Sequence, residues 1–165
     1  MNKNEIVVFW FRRDLRLHDN CGLFHALQSG YKVLPIFIFD EEILNKLPKN
    51  DARVSFIYES LNAINKELLK IGSAVKIEKG NVFKVWKKLL NKYIIKEVYL
   101  NKDYEPYAIK RDEKLKSLFL EKRVEFKSFK DQVIFEEAEI VKNDGLPYTV
   151  YTPYKNKWLK KYILF

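Results

Sequence analysis

The sequence predicts a doubly wound α/β domain, in which helices cover both faces of a five-stranded parallel sheet. The chain has 165 residues, enough for one domain with a core of its own. Short apolar runs alternate four times with segments of helical period. The first two runs are apolar on both faces, which is typical of central strands in a parallel sheet. Right-handed crossovers then favour a three-layer, Rossmann-like architecture with strand order 3-2-1-4-5.

Five short segments rich in β-branched and aromatic residues are the predicted strands. The two most apolar belong at the centre of the sheet. In chain order the strands are Ile6–Phe11, Lys32–Phe39, Ala74–Glu78, Glu97–Leu100 and Val124–Phe129.

Capping residues and apolar spacing predict the helices between these strands. The first runs from a cap at Asn20 to about Ser29 and stops at Gly30. The second begins near Asn50 or Asp51 and ends at Gly72, with an apolar stripe of Phe56, Ile57, Leu61, Ile64, Leu68 and Ile71. The third opens at Asn81, and the fourth has Pro106 in its first turn, where a missing amide hydrogen costs nothing.

The alternation of strands and helices ends near residue 130, so we divide the chain into a 1–130 core and a 131–165 extension. Within the extension, Asn143-Asp144-Gly145 predicts a turn and Pro147–Tyr151 an extended segment. A last helix is expected from Thr152-Pro153. It ends the sequence on apolar residues, Trp158 to Phe165, which either dock on the sheet of this domain or begin a connection into a second domain.

Composition excludes several classes of protein. One cysteine cannot form an internal disulfide, and two histidines with one cysteine are too few for a zinc cage, so no metal site is expected. Neither a membrane span nor a secretory leader is recognisable, which favours a cytoplasmic protein. The net charge of +9 permits attraction to nucleic acid. Its lysines are scattered, however, and a solvated surface explains most of them.

The sequence contains no recognisable catalytic motif. The five glycines, at 22, 30, 72, 80 and 145, form no phosphate-binding loop. We interpret His18 and His25 as structural, and the run Asp40-Glu41-Glu42 as a solvated face. No catalytic residue is therefore assigned to this chain.

The loop after the first strand carries the strongest functional signal. It places Arg12, Arg13 and Arg16 with two aspartates directly before a helix cap. In the predicted strand order the topology reverses between the first and fourth strands, and ligands bind at such a point. Guanidinium groups suit phosphates and carboxylates. The alternative is a structural ion network, with Arg13 pairing to Asp14 and Arg16 to Asp19.

The segment from Val8 to Asn20, VFWFRRDLRLHDN, resembles the opening pattern W-F-R-x-D-L-R-x-x-D-N of the DNA photolyase and cryptochrome family. Further similarities follow in order along the whole chain. They are Arg53 with Phe56 and Glu59-Ser60-Leu61, then Asp103-Tyr104-Glu105-Pro106 with Arg111-Asp112, and finally Tyr148 to Tyr154 with Trp158, which is similar to Y-x-V-F-T-P-F-x-x-x-W.

This resemblance implies the amino-terminal photoantenna domain of a deoxyribodipyrimidine photolyase, a carbon-carbon lyase that repairs cyclobutane pyrimidine dimers in DNA. Such a domain holds a light-harvesting cofactor, which passes excitation to a catalytic FAD in a helical domain. The reduced flavin then donates an electron to a dimer flipped out of the duplex. We expect the FAD-binding domain to be absent here, the end of the chain to lead into an interdomain linker, and this chain alone to be inactive.

For the cofactor pocket, the topological reversal nominates Arg12, Arg13, Asp40, Asp103 and Glu105, and the resemblance adds Arg53. Folate-type members of the family commonly carry an Asn-Glu pair where Tyr107 and Ala108 stand here. Without that carboxylate, which accepts hydrogen bonds from a pterin, a flavin or deazaflavin is favoured over a reduced folate, or the pocket is vestigial.

Two other functions remain open. One is the amino-terminal domain of a cryptochrome, a blue-light signalling protein. The other is a stand-alone nucleotide-binding or interaction module, since fold does not fix function. The cluster Lys155, Lys157, Lys160 and Lys161 is interpreted as a solvated helix face before it is considered a DNA contact.

Overall fold

The computed structural model describes residues 5–164, and it divides the chain into one compact unit up to Asp131 and a second from Gln132 onward. The first unit contains a five-stranded sheet of order β3-β2-β1-β4-β5, in which every neighbouring pair is parallel. The predicted fold class and strand order are therefore confirmed. In chain order the elements are β1 (Glu5–Phe11), α1 (Cys21–Leu27), β2 (Lys32–Asp40), α2 (Glu41–Leu44), α3 (Ala52–Leu69), β3 (Lys76–Gly80), α4 (Val82–Lys92), β4 (Ile94–Asn101), α5 (Pro106–Glu121), β5 (Glu125–Phe129) and α6 (Tyr151–Ile163).

Alternation of side chains along the central strand creates two cores, one on each face of the sheet. Val8 and Trp10 of β1 pack with Trp86 of α4 and with α5 on one face. Val7, Phe9 and Phe11 pack with α1 and α3 on the other. Both faces are covered by helices, so the layers number three.

Polar caps start most of the helices where the sequence predicted them. Asn20, Asp51 and Asn81 each accept a backbone N–H from the first turn of α1, α3 and α4. Pro106 opens α5 in the first turn, as expected. Gly30 and Gly72 have φ values of +78° and +73°, the left-handed conformation that favours glycine after a helix.

Several elements differ from the prediction. β3 spans Lys76–Gly80 and not Ala74–Glu78. The single turn α2 was not expected, because it is too short to show a helical period; Asp40 caps it through the Glu42 amide. β4 starts at Ile94 and not at Glu97, since the backbone of Ile94 and Ile95 already pairs with β1. The sequence did not indicate this start because Lys96 and Glu97 interrupt the apolar pattern. None of residues 147–151 forms a strand: 147–150 are irregular, and Tyr151 begins α6.

The buried stripe of α3 is narrower than predicted. Leu61, Ile64 and Leu68 are buried, and Ile57 packs against them at the same helical spacing. Phe56 lies one residue off that stripe and is 69% exposed, and Ile71 lies beyond the end of the helix. The prediction that these two residues belong to the core was wrong.

The second unit has a small apolar centre of its own. The rings of Phe135 and Trp158 meet edge to face at 5.4 Å, and Trp158 stacks on Tyr162. Lys157 and Lys161 of α6 donate to the backbone carbonyls of Val141 and Glu139. These two lysines therefore hold the unit together, which corrects their assignment to a solvated face. Phe165, the last residue of the predicted apolar end, lies outside the described residues.

Close contact between α1 and β4 generates a prediction about Gly22. A Cβ atom at this position would lie 2.8 Å from Oδ1 of Asn101 and 3.1 Å from the backbone carbon of Leu100. We expect Gly22→Ala to lower the free energy of unfolding by about 2 kcal/mol, measured by chemical denaturation, although alanine favours helices.

Gly30→Ala is the control for this experiment. A Cβ atom there meets nothing within 4 Å, so only the left-handed φ opposes it, at about 1 kcal/mol. An increase in stability for Gly22→Ala would show that α1 does not lie this close to β4.

Candidate functional site

A cavity of about 550 Å³ lies at the carboxyl edge of the sheet, in the first unit. Its lining comes from the ends of β1 and β2, from α2, from the start of α3, and from the segment that leads from β4 into α5. The sheet order reverses between β1 and β4, so the cavity occurs where a doubly wound fold receives its ligand. Its volume falls within the range of about 300–1,000 Å³ that is usual for small-molecule sites.

Apolar side chains form much of the cavity wall. They are supplied by strand ends that the fold already buries, by α2 and the segment after it, and by the start of α3. The group comprises Trp10, Phe11, Phe37, Ile38, Phe39, Ile43, Leu44, Leu47, Val54 and Ile57. Such a wall suits a flat, largely apolar ring system.

All six residues that the sequence nominated for cofactor binding line this one cavity: Arg12, Arg13, Asp40, Arg53, Asp103 and Glu105. Their proximity agrees with the geometry expected at a topological reversal. Lys46 and Arg111 also line the cavity, which gives five cationic and three acidic side chains.

Arg12 is the most buried of these cations. Its side chain is 6% exposed, pairs with Asp112 at 2.5 Å, and donates to the backbone carbonyl of Asn101. Burial lowers the pKa of the guanidinium and the Asp112 carboxylate opposes that effect. Within the described residues, Nε of Arg12 has no hydrogen-bond partner. A buried donor without a partner is costly, so an acceptor on a ligand would stabilise it.

Arg13 forms part of the exposed rim. Its guanidinium is 3.2 Å from Glu105 and 3.7 Å from Asp103. These partners differ from Asp14, the partner in the alternative of a local ion network, because the turn after β1 directs Arg13 across to the segment after β4. Exposed pairs of this kind contribute little to stability.

Asp40 is buried at the end of β2 and both of its oxygens accept hydrogen bonds. Oδ1 accepts the Glu42 amide at 3.0 Å, and Oδ2 accepts the Tyr107 hydroxyl at 2.6 Å. Burial, followed by the hydrogen bond to Asp40, raises the pKa of Tyr107. The prediction that Asp40-Glu41-Glu42 forms only a solvated face was therefore wrong for Asp40.

Arg53 lies in the first turn of α3 and forms a salt bridge with Asp51, the residue that caps this helix. Its Nη2 is 2.6 Å from Asp51, which lowers the pKa of that carboxylate to about 2. The Arg53 side chain is 71% exposed. It can reach a ligand only by exchanging or sharing this partner.

The turn that carries Arg12 and Arg13 is held by a buried polar cluster of Asp14, Asn20 and Asn101. Asp14 accepts the Arg12 amide at 2.8 Å and the Asn101 side-chain amide at 2.5 Å. Asn101 also donates to Asn20 and accepts the Gly22 amide at 2.7 Å. The end of β4 thereby fixes the turn that follows β1.

The alternative of a local ion network is corrected for Arg16 as well. Its guanidinium donates to the backbone carbonyl of Asp19 and pairs with the carboxylate of Asp131 at 2.8 Å. Asp131 follows β5, more than a hundred residues along the chain. A search of neighbouring residues could not have found this partner.

Trp10, Tyr107 and Arg111 are among the cavity residues that were not nominated. The Arg111 guanidinium lies 4.8 Å from the centre of the Trp10 ring and 5.7 Å from that of Tyr107. Arg111 and Tyr107 lie four residues apart on α5, so a helical projection from Pro106 could have placed both on the side that meets the sheet.

No helix within residues 5–164 is both long and apolar enough to cross a membrane. The same residues bring no three His, Cys, Asp or Glu side chains into an arrangement that could hold a metal ion.

A family model for DNA photolyase matches residues 7–163. The chain belongs to the DNA photolyase family. It is 30% identical over 152 residues to a deoxyribodipyrimidine photo-lyase of Agrobacterium fabrum, an alignment that covers 92% of this chain and 31% of that protein. It is likewise 30% identical over 151 residues to cryptochrome-1 of Aedes aegypti, covering 87% of this chain and 28% of the relative.

A solved photolyase from the archaeon Sulfolobus tokodaii, described with two FAD molecules and as implying a novel light-harvesting cofactor, has the same fold. It superposes with a TM-score of 0.70 at 36% identity, over 81% of this chain and 32% of that one. This chain therefore spans about a third of the length of each of these three relatives.

The Asp40–Tyr107 hydrogen bond predicts a dependence of stability on alkaline pH. The pKa of Tyr107 is raised in the folded protein, so above about pH 10 the unfolded chain loses this proton first. The free energy of unfolding must then fall as the pH rises. Tyr107→Phe should cost about 1 kcal/mol at neutral pH and make the alkaline decline less steep, as measured by denaturant unfolding at several pH values.

Tyr58→Phe, which removes an exposed hydroxyl from α3, is the matched control and should change neither quantity. An unaltered alkaline decline in Tyr107→Phe would contradict the hydrogen bond.

Proposed function

We propose that this chain is the light-harvesting α/β domain of a deoxyribodipyrimidine photolyase and that the cavity at the sheet edge binds its antenna pigment. The observation that carries the proposal is the cavity itself, in which an apolar wall meets a cluster of arginines at the topological reversal. When bound, such a pigment supplies light absorption and passes the excitation energy to a catalytic flavin. Family membership supports this assignment.

The residues of the cavity fit a flavin or deazaflavin ring better than a reduced folate. A pterin needs acceptors for its N–H groups, but both oxygens of Asp40 already accept hydrogen bonds. Asp103 and Glu105 pair with Arg13. The position of Ala108 offers no carboxylate. Donors are in excess instead, and one of them, Nε of Arg12, is buried without a partner within the described residues.

Each part of the cavity has a separate role in this proposal. The ends of β1 and β2 would hold the flat ring, with Phe11 and Phe39 in the wall. Arg12 would donate to an acceptor on the ring, and Arg13 and Arg53 would meet an anionic substituent near the rim. The described residues thus bind and orient the pigment and keep water from one side of it.

We further propose that dimer splitting belongs to a helical FAD-binding module that acts together with this chain, and that damaged DNA is bound through that larger assembly. The length of the relatives, about three times the matched segment, supports this part of the proposal. Signalling as a cryptochrome is the second candidate, because cryptochrome-1 of Aedes aegypti is as similar in sequence as the photo-lyase.

Ligand titration tests the pigment proposal. Riboflavin should bind to the purified chain, and a methenyl-tetrahydrofolate should bind at least about tenfold more weakly, as measured by fluorescence. Val54→Trp would fill the cavity from α3 and should weaken riboflavin binding by at least about tenfold.

Tyr58→Trp adds the same ring at an exposed position of the same helix and should leave binding unchanged. Tight folate binding would refute the preference for a flavin, and equal binding by the two variants would refute the location.

An activity assay tests the division of labour. The 165-residue chain should not split cyclobutane dimers in irradiated DNA, with or without added pigment, because no residue of it is assigned to the chemistry. The dimer content of the DNA is measured by chromatography before and after illumination. A light-dependent loss of dimers with this chain alone would contradict the proposal.

A further inference from the structure

We propose that Arg12 and Arg111 suppress oxidation of Trp10, so that this tryptophan does not quench a pigment bound in the cavity. The inference rests on the proposed function, since it concerns the fate of excitation energy at that site. It assigns an electronic role to both arginines, in addition to the ligand-binding role proposed for Arg12.

Trp10 is an aromatic donor in the wall of the cavity. It is 2% exposed, so water hardly reaches its ring. The Arg111 guanidinium carbon lies 4.8 Å from the ring centre and that of Arg12 lies 5.5 Å from it. Cations at these distances from an indole interact with its π-system, and burial strengthens the interaction.

The charge beside the Trp10 ring stays positive when the carboxylate that pairs with the two arginines is included. Asp112 accepts from both arginines, at 2.5 Å from Arg12 and 3.1 Å from Arg111. A second carboxylate, Asp103, also acts on Arg12, but it is itself 3.7 Å from Arg13. The two guanidinium groups beside the ring thus outnumber Asp112, the one carboxylate that pairs with both of them. Arginine remains protonated at any physiological pH, so this charge is permanent.

An excited, oxidised flavin is a strong one-electron oxidant. If Trp10 gave it an electron, the indole would become a radical cation, the flavin ring would be reduced by one electron, and the excitation would be lost. Positive charge beside the indole raises the energy of that radical cation much more than the energy of the neutral ring. The arginines therefore oppose the transfer.

Trp86 could pass an electron on to an oxidised Trp10, because the centres of the two rings lie 5.5 Å apart. The oxidation would then move into the core. Nε1 of Trp86 is buried and has no hydrogen-bond partner in the part of the chain that the structure describes. Without an acceptor for its proton, an oxidised Trp86 would gain no stabilisation by deprotonation. The first step, at Trp10, is thus the one that the surrounding charges control.

The main experiment compares variants of Arg111 in the full chain with riboflavin bound. Arg111→Met keeps an apolar stem but removes the charge, and should shorten the fluorescence lifetime of bound riboflavin at least about tenfold. Arg111→Lys retains a cation and should stay near the wild-type lifetime. Adding Trp10→Phe to Arg111→Met should restore the longer lifetime.

A second experiment needs no bound pigment. A ruthenium tris-bipyridyl photo-oxidant with persulfate is added in solution, and oxidation of Trp10 and of Trp158 is quantified separately by peptide mass spectrometry. Arg111→Met should increase oxidation of Trp10, and Asp112→Asn, which leaves both cations without their carboxylate, should decrease it. Trp158, in the second unit, should not respond.

These opposite signs separate an electrostatic effect from partial unfolding, which would raise oxidation in both variants. Equal lifetimes and equal Trp10 oxidation for Arg111→Met and Arg111→Lys would overturn the proposal. Failure of riboflavin to bind wild-type protein would instead count against the proposed function, while the photo-oxidation experiment would still decide whether Trp10 is protected.

Discussion

The buried carboxylate of Asp14 is the constraint on which the site depends. It is held by the amide of its own turn and by the side chain of Asn101, at the end of the neighbouring strand β4. A carboxylate removed from water requires such partners, so the turn cannot move independently of the sheet. Because Arg12 and Arg13 directly precede this residue, their backbone positions follow from the sheet order itself.

This arrangement explains how a doubly wound domain without a glycine-rich phosphate loop can present a ligand site. Where such a loop would offer backbone amides, this chain offers guanidinium groups on a fixed turn. The acids of the cavity are already engaged by Tyr107 or Arg13. A donor-rich cavity with an apolar wall is the result, and it favours ligands that carry acceptors or negative charge.

Local patterns in the sequence predicted the sheet, the main helices and five of the six residues nominated for the cavity, because strand ends and caps depend on neighbours in the chain. The sixth, Arg53, came from the family resemblance. The partners of those residues were beyond such patterns. Asp40 and Tyr107 are separated by 67 positions, and Arg12 and Asp112 by 100. Pairs of this kind are created by tertiary packing. Because a search of neighbouring residues cannot find such pairs, the alternative ion network named the wrong carboxylate partners for Arg13 and Arg16. For the same reason Asp40 was placed on a solvated face.

The two sides of the cavity differ in how firmly they are held. Arg12 and Asp40 are fixed by buried hydrogen bonds, whereas the Arg13 and Arg53 side chains are more than half exposed and form pairs that salt weakens. Replacing a rim residue therefore costs little folding free energy, while replacing an inner one costs much. A change of the ligand that the cavity accepts would, over evolutionary time, begin at its mouth, where substitutions can accumulate without loss of the domain.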